Sequence, residues 1–285
     1  MKTMEFMRIL LGIMTKSIGN KLIFLHSIFR LFLAPALTPE FPQQEVFEQS
    51  PTQSLDWAEW YRASCSQRDR SDTLLGLLLM YEKAGVPVYN PPSASITSRR
   101  KPYQLSVLRH TGCPLPETLI TNDYAQAKEF IAAHKDIILK PASGGALTLT
   151  PEQISEQVLQ RVREVPAIFQ QRIRGGDIRV MVVNGKVISA AKINVADDTL
   201  DFRGDEHYQQ GKISYTEIEL PNETAHLCRQ LTQNLGLKIG GIDLKHTKEG
   251  EFYFLECNSS PIYLDVEIKL GHGITQAICD ALLHH

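Results

Sequence analysis

The sequence predicts an α+β fold, with long antiparallel hairpins and helices outside them. Two stretches carry this expectation. In "IRVMVVNGKVISAAKI", apolar runs flank Asn184-Gly185, and Asn-Gly between such runs is the strongest short-range hairpin signal. A second hairpin joins "KIGGIDLKH" to "EFYFLECN" through Thr247–Gly250. A third observation excludes an alternative. The strict strand–helix–strand alternation of a doubly wound sheet is absent, and so are GxGxxG and GxxxxGK[ST].

Taken in order, residues 8–14 read as a short strand, and residues 22–37, "LIFLHSIFRLFLAPAL", as a buried or docking helix. His26 and Arg30 interrupt that apolar run, which is shorter than the roughly 20 residues of a spanning helix. A signal segment or membrane contact through residues 8–37 is therefore not expected. Residues 38–56 form an exposed loop rich in Pro, Gln, Glu and Ser. A helix over 71–85 starts at Ser71-Asp72 and stops at Gly85. "VPVYNPPSA" follows as a strand running into a Pro-rich linker, which places a domain boundary near residue 95. This divides the chain into an N-terminal region, 1–95, and a main domain, 96–285.

Beyond the boundary, "KPYQLSVLRHTG" is a helix with Pro102 at its start and Gly112 just past its end. "NDYAQAKEFIAAHK" is a second helix, followed by the strand "IILK" over 137–140. Thr150 to Gln153 reads as a capping box opening a third helix. The helix "PNETAHLCRQLTQNLG" places Ala225, Cys228, Leu231 and Leu235 on one face, with Gly236 as its stop. A last helix carries Ile274, Ile278 and Leu282.

Composition narrows the function classes. At 285 residues, 43% hydrophobic and 22% charged, the chain is an ordinary globular protein rather than a disordered one. A net charge of -2 argues against a basic nucleic-acid surface, and no nucleic-acid partner is expected. Cys65, Cys113, Cys228, Cys257 and Cys279 are scattered and lack CxxC spacing. That pattern suits reduced thiols in a cytoplasmic protein.

"FYFLECNSSP" raises the chemical question, because an apolar strand ends in Glu256 and Asn258. Two apart on a strand, they face the same way. The hairpin turn brings Asp243 opposite or diagonal to residues 254–256. Oxygen ligands without His or Cys suit Mg²⁺ or Mn²⁺; the alternative is a polar strand end in water. Lys140 ends an apolar strand before "PASGGA", where it holds a phosphate or reaches to water. Arg99, Arg100 and Lys101 crowd a helix N-terminus. A bound anion relieves that arrangement, and so does exposure of all three to water. "DFRGD" places Arg203 and Asp205 in a polar loop.

Together these stretches resemble the ATP-grasp superfamily, most closely its RimK-like branch, the ribosomal-protein glutamate ligases. The resemblance covers residues 68–285 and rests on "GGIDL…FLECNSSP", "RGGDIRVMVVNGKVISA" and "DFRGD" in order. It implies two α+β lobes clasping ATP, with a reduced, atypical N-terminal domain. It implies that Lys101 and Lys140 meet the nucleotide phosphates, Gln171 and Arg172 the adenine, and Asp177 the ribose. Arg203 would stand by the reacting phosphate with Asp205 beside it, and Asp243, Glu256 and Asn258 would hold two Mg²⁺ ions, or Mn²⁺. The implied reaction is ATP-dependent carboxylate–amine ligation through an acylphosphate, on an amino-acid, peptide or protein substrate. Macrocyclisation of a ribosomal peptide, phosphotransfer and a non-catalytic nucleotide-binding scaffold are the rivals, and a homo-oligomer is compatible with all of them. The chain departs from the family pattern at Gln171, usually acidic, and at Asp205, commonly Asn. It departs also in the short loop "ASGGA", in "IYLDVE" after Pro261, and over its first 60 residues.

Overall fold

The computed structural model describes residues 57–134, 136–142, 148–195, 200 and 212–283. The readings of a strand over 8–14, a helix over 22–37 and a loop over 38–56 lie outside the described residues. The chain divides into two compact units, one running to Ser93 and the other spanning Ala94–His284.

In the first unit, α1 (Trp57–Lys83) is a single long helix. The expected start at Ser71 is corrected: Ser71 and Asp72 lie within the helix, where their capping preference is overridden. The stop at Gly85 holds, with φ +76 and its N–H donated to Glu82 O. "VPVYNPPSA" is not a strand. Residues 86–91 are irregular, and α2 (Pro92–Ser98) follows. Pro92 suits a first helical position, and the Ser93 N–H donates to Glu82 Oε2 at 3.0 Å.

The second unit holds two antiparallel sheets. The smaller has the order β1-β3-β2, from β1 (Thr118–Thr121), β2 (Ile137–Pro141) and β3 (Ala167–Gln171). The larger has the order β6-β5-β4-β7-β8. It comprises β4 (Gly176–Val183), β5 (Lys186–Asn194), β6 (Ser214–Glu217), β7 (Ile239–His246) and β8 (Phe252–Asn258). Both expected hairpins are present. Asn184 and Gly185, at φ +46 and +75, provide the two left-handed residues of a tight turn whose twist matches its strands.

Helices α3 (Lys101–His110), α4 (Tyr124–Ala133), α5 (Glu156–Arg161) and α6 (Asn222–Asn234) cover the sheets. They are followed by α7 (Leu264–Leu270) and α8 (Ile274–Leu283). The third helix does not open at Thr150. Residues 151–153 form a single 3₁₀ turn, in which Gln153 Oε1 accepts from the Thr150 N–H, and α5 starts later with Ser155 as its cap. On α6 it is Thr224, not Ala225, that is buried with Cys228 and Leu231. On α8, Ala281 rather than Leu282 joins Ile274 and Ile278 in the interior.

Alternation along the strands divides the larger sheet into two faces. Ile178, Val180, Val182, Ile242, Leu244, Phe254 and Cys257 pack with Leu108 of α3 and Cys228 and Leu231 of α6. A separate core under the smaller sheet contains Ala127, Ile137, Leu139, Leu159, Val162 and Phe169. Among the described residues, no helix is long and apolar enough to cross a membrane.

Candidate functional site

The polar face of the larger sheet is set by strand register. Arg179 of β4 stands opposite Asp243 of β7, and Asp243 opposite Glu256 of β8. Two residues along, Met181 faces Gly241, and Gly241 faces Asn258. A register shift beside Asp243 leaves Leu255 as an extra residue on β8. That bulge lets Phe254 and Cys257 both face the core while Glu256 and Asn258 face the opposite side. "GGIDL" fits the same construction. A Cβ on Gly240 would press on Thr232 and the Cys257 sulfur, and one on Gly241 would lie 2.4 Å from Pro261 Cβ. Pro261 thus packs flat on β7 just past the acidic strand end.

The side chains converge as follows. The Asn258 amide nitrogen donates to Asp243 Oδ2 and Glu256 Oε1, both at 3.1 Å. Lys101, at the first position of α3, pairs with Glu256. Arg179 Nε lies 2.5 Å from Asp243 Oδ1. The same guanidinium donates from Nη2 to Asp243 Oδ2 at 3.4 Å, while Arg179 Nε and Asp243 Oδ1 are buried without a hydrogen-bond partner. Burial pushes the Asp243 carboxyl up to about 6 despite Arg179, and the negative charges of Glu256 and Asp177 add to the rise. Glu256 goes the other way. Burial disfavours its charge, but Lys101, the Asn258 amide and Lys140 outweigh it and hold the carboxyl down to about 2.

These residues fit a hard divalent cation. Asp243 keeps a buried oxygen without a hydrogen bond, and burial together with the nearby Glu256 and Asp177 carboxylates disfavours its charge in spite of Arg179. Among the described residues, no three His, Cys, Asp or Glu gather at metal-ligand spacing. The set is two carboxylates and an amide, which suits magnesium, an ion that keeps several waters and takes one or two carboxylates.

The other expected positions lie on or beside strands of both sheets. Lys140, on β2, donates to Gln170 Oε1 at 3.0 Å, and the Gln170 amide in turn donates to Thr118 Oγ1. Gln171 and Arg172 lie where β3 passes toward β4; their backbone N–H groups donate to Glu117 O and Asp136 O. Asp177 is paired with Lys245 at 2.9 Å, both largely buried. Arg203, Asp205 and most of the "ASGGA" loop lie outside the described residues. Arg99 and Arg100 are exposed, so the helix-start cations divide: two face water and Lys101 faces a carboxylate.

Sequence reasoning passed over Arg179, Lys245 and Gln104. Arg179 carries a legible signal, a cation between Ile178 and Val180 that alternation places on the face opposite the core. Gln104 carries none, since an amide in a helix reads as a solvated residue.

Residues 98–282 match the model of the RimK-like ATP-grasp domain. A probable alpha-L-glutamate ligase of Cellvibrio japonicus is 28% identical over 215 residues, 72% of this chain and 69% of the relative. A second, from Desulfotalea psychrophila, is 27% identical over 213 residues, and there the chain spans only 45% of the relative's length. Among solved structures, the ATP-grasp ligase PsnB complexed with minimal precursor, Mg and ADP superposes with a TM-score of 0.66 at 34% identity, over 83% of this chain and 75% of that one. The chain belongs to the RimK-like ATP-grasp family and is an ATP-dependent carboxylate–amine ligase.

Proposed function

We propose that this ligase acts on a peptide, activating a carboxylate with ATP and joining it to an amine. The observation that carries the reading is the charged row on the polar face of the larger sheet, Arg179–Asp243–Glu256–Lys101, with Asn258 bridging the two carboxylates. The peptide preference is supported by the 34%-identical PsnB, solved with its precursor. The relatives at 28% and 27% identity are named as probable alpha-L-glutamate ligases. They support the second reading, amino-acid addition to a small molecule or protein tail.

In this reading ATP lies between the two sheets. Lys101 and Lys140 take the phosphates, Gln171 and Arg172 border the adenine, and Asp177 meets the ribose. Asp243, Glu256 and Asn258 hold two Mg²⁺ ions, with Mn²⁺ as a substitute, and the Asn258 amide turns its oxygen inward to do so. Magnesium held by these residues would supply charge neutralisation at the phosphates. Lys101, paired with Glu256 here, would be the cation that meets a phosphate oxygen. Arg203 stabilises the transferring group, and Asp205 lies beside it. The substrate carboxylate attacks the γ-phosphorus, and ADP leaves with the bond electrons. The amine attacks the resulting acylphosphate carbon, loses a proton, and phosphate departs. Each amide formed consumes one ATP, and no protein nucleophile takes part. Burial pushes the Cys113 and Cys228 thiols up to about 12, which keeps them inert. The reading also assigns residues 1–95 to a reduced N-terminal region, residues 96–285 to the ATP-grasp domain, and the protein to the cytoplasm.

The test is mass spectrometry of candidate peptides incubated with the protein, ATP and Mg²⁺. Loss of one water per amide within the peptide supports the first reading, and gain of a glutamyl residue the second. Retained phosphate on the product points to phosphotransfer. ATP left intact with every substrate class would sink the ligation reading.

A further inference from the structure

Gln104 sits one helical turn after Lys101, and its side chain is 6% exposed. Its amide nitrogen donates to Ser98 O and to Cys257 O, both at 2.7 Å, and its amide oxygen accepts from the Cys257 N–H at 3.1 Å. β8 ends the strand order of its sheet. Its outward backbone groups at Cys257 therefore need partners, and the Gln104 amide serves as a single peptide unit of a missing neighbouring strand. Pro114 O does the same for the Phe254 N–H at 2.8 Å. Cys257 is the residue between Glu256 and Asn258. The helix that presents Lys101 is thus latched, through both main-chain groups of one residue, to the strand presenting two of the three oxygen donors.

We infer that Gln104 is a positioning residue for the candidate magnesium site. It fixes the backbone between Glu256 and Asn258 and the spacing of both from Lys101. Gln104 touches neither substrate nor ion in this account; it acts through the residues it holds. The inference rests on the magnesium reading of Asp243, Glu256 and Asn258 given above. Partners that orient metal ligands typically account for about 10–100-fold in metal affinity.

The experiment is calorimetric titration of ADP into the full-length protein with and without Mg²⁺. It compares the parent protein, Gln104→Met, the milder Gln104→Asn, and Ile278→Ala. Ile278 is buried in α8 and outside the site, so its substitution controls for general destabilisation. Gln104→Met is expected to reduce the magnesium-dependent gain in ADP affinity by about tenfold or more, with the magnesium-free affinity changing far less. Gln104→Asn, one methylene too short to span both Cys257 groups, gives the same direction if the methionine variant does not fold. Ile278→Ala lowers the melting temperature and leaves the gain intact. A gain in the Gln104 variants equal to the parent's overturns the inference alone. No magnesium-dependent gain in the parent overturns the magnesium reading and this inference with it.

Discussion

The two sheets of the second unit handle charge differently. On the larger sheet, charges are matched across strands, Arg179 with Asp243 and Asp177 with Lys245, and Lys101 reaches Glu256 from helix α3. On the smaller sheet, Lys140 is oriented by a neutral amide, Gln170, itself fixed by Thr118. A buried carboxylate needs a cation nearby even before any ligand arrives. Lys140 is held by the Gln170 amide and also acts on Glu256, whose negative charge it helps to keep. The contrast teaches a division of labour. In the proposed reading the larger sheet holds a metal cation, and Lys140 of the smaller one meets a phosphate.

The sharpest way to break this contrast is Glu256→Ala. It removes one proposed metal ligand and leaves Lys101 without its carboxylate, so ligase turnover should fall by at least about a hundredfold. Phosphate release at fixed ATP and Mg²⁺ checks it. Next, Arg179→Met leaves Asp243 buried without its cation, and breaking such pairs costs about 3–5 kcal/mol. The low end is expected, because Asp243, raised to about 6, takes up a proton more readily than an ordinary carboxyl once its cation is gone; urea unfolding measures the loss. Third, Gly241→Ala forces a Cβ against Pro261 and should cost about 1–3 kcal/mol through overpacking. Asp123→Ala, in the smaller sheet's half, removes a cap that accepts from the Ala125 and Gln126 N–H groups. It should cost about 1 kcal/mol in stability and leave metal dependence unmoved.

The pH dependence sharpens the same contrast. Asp243 has a raised carboxyl, so the folded state binds its proton more tightly than the unfolded state does. In the metal-free protein its contribution to stability is present below the ordinary 3.8 and is lost as pH rises through about 6. Glu256 has the opposite sign. Its contribution is present above 4.5 and is lost as pH falls toward about 2. Asp243→Asn should remove the first slope and keep the second, as read from unfolding curves across that range. Magnesium affinity should weaken as pH falls through about 6, where Asp243 takes up its proton.

The long hairpins are legible in the sequence because Asn184-Gly185 and the period-two alternation around it act locally. So is the acidic strand end, because Glu256 and Asn258 interrupt an apolar run. The shorter strands β1, β3 and β6 are not, since four or five residues leave no room for a period to show. Val86 and Val88 suggest a strand, yet Pro92 can open a helix, and nothing in "VPVYNPP" itself decides between them. The Leu255 bulge is invisible in the sequence, although it decides which face Glu256 occupies. Gln104 is likewise unreadable, because its partners are backbone groups, those of Cys257 lying 153 positions away.

The most direct test of the central claim is calorimetric titration of ATP into the full-length protein, with and without Mg²⁺, beside Glu256→Ala. Tight binding that depends on magnesium is expected in the parent protein, and loss of that dependence in the mutant. Binding that is equally strong without magnesium, or unchanged by Glu256→Ala, would contradict it.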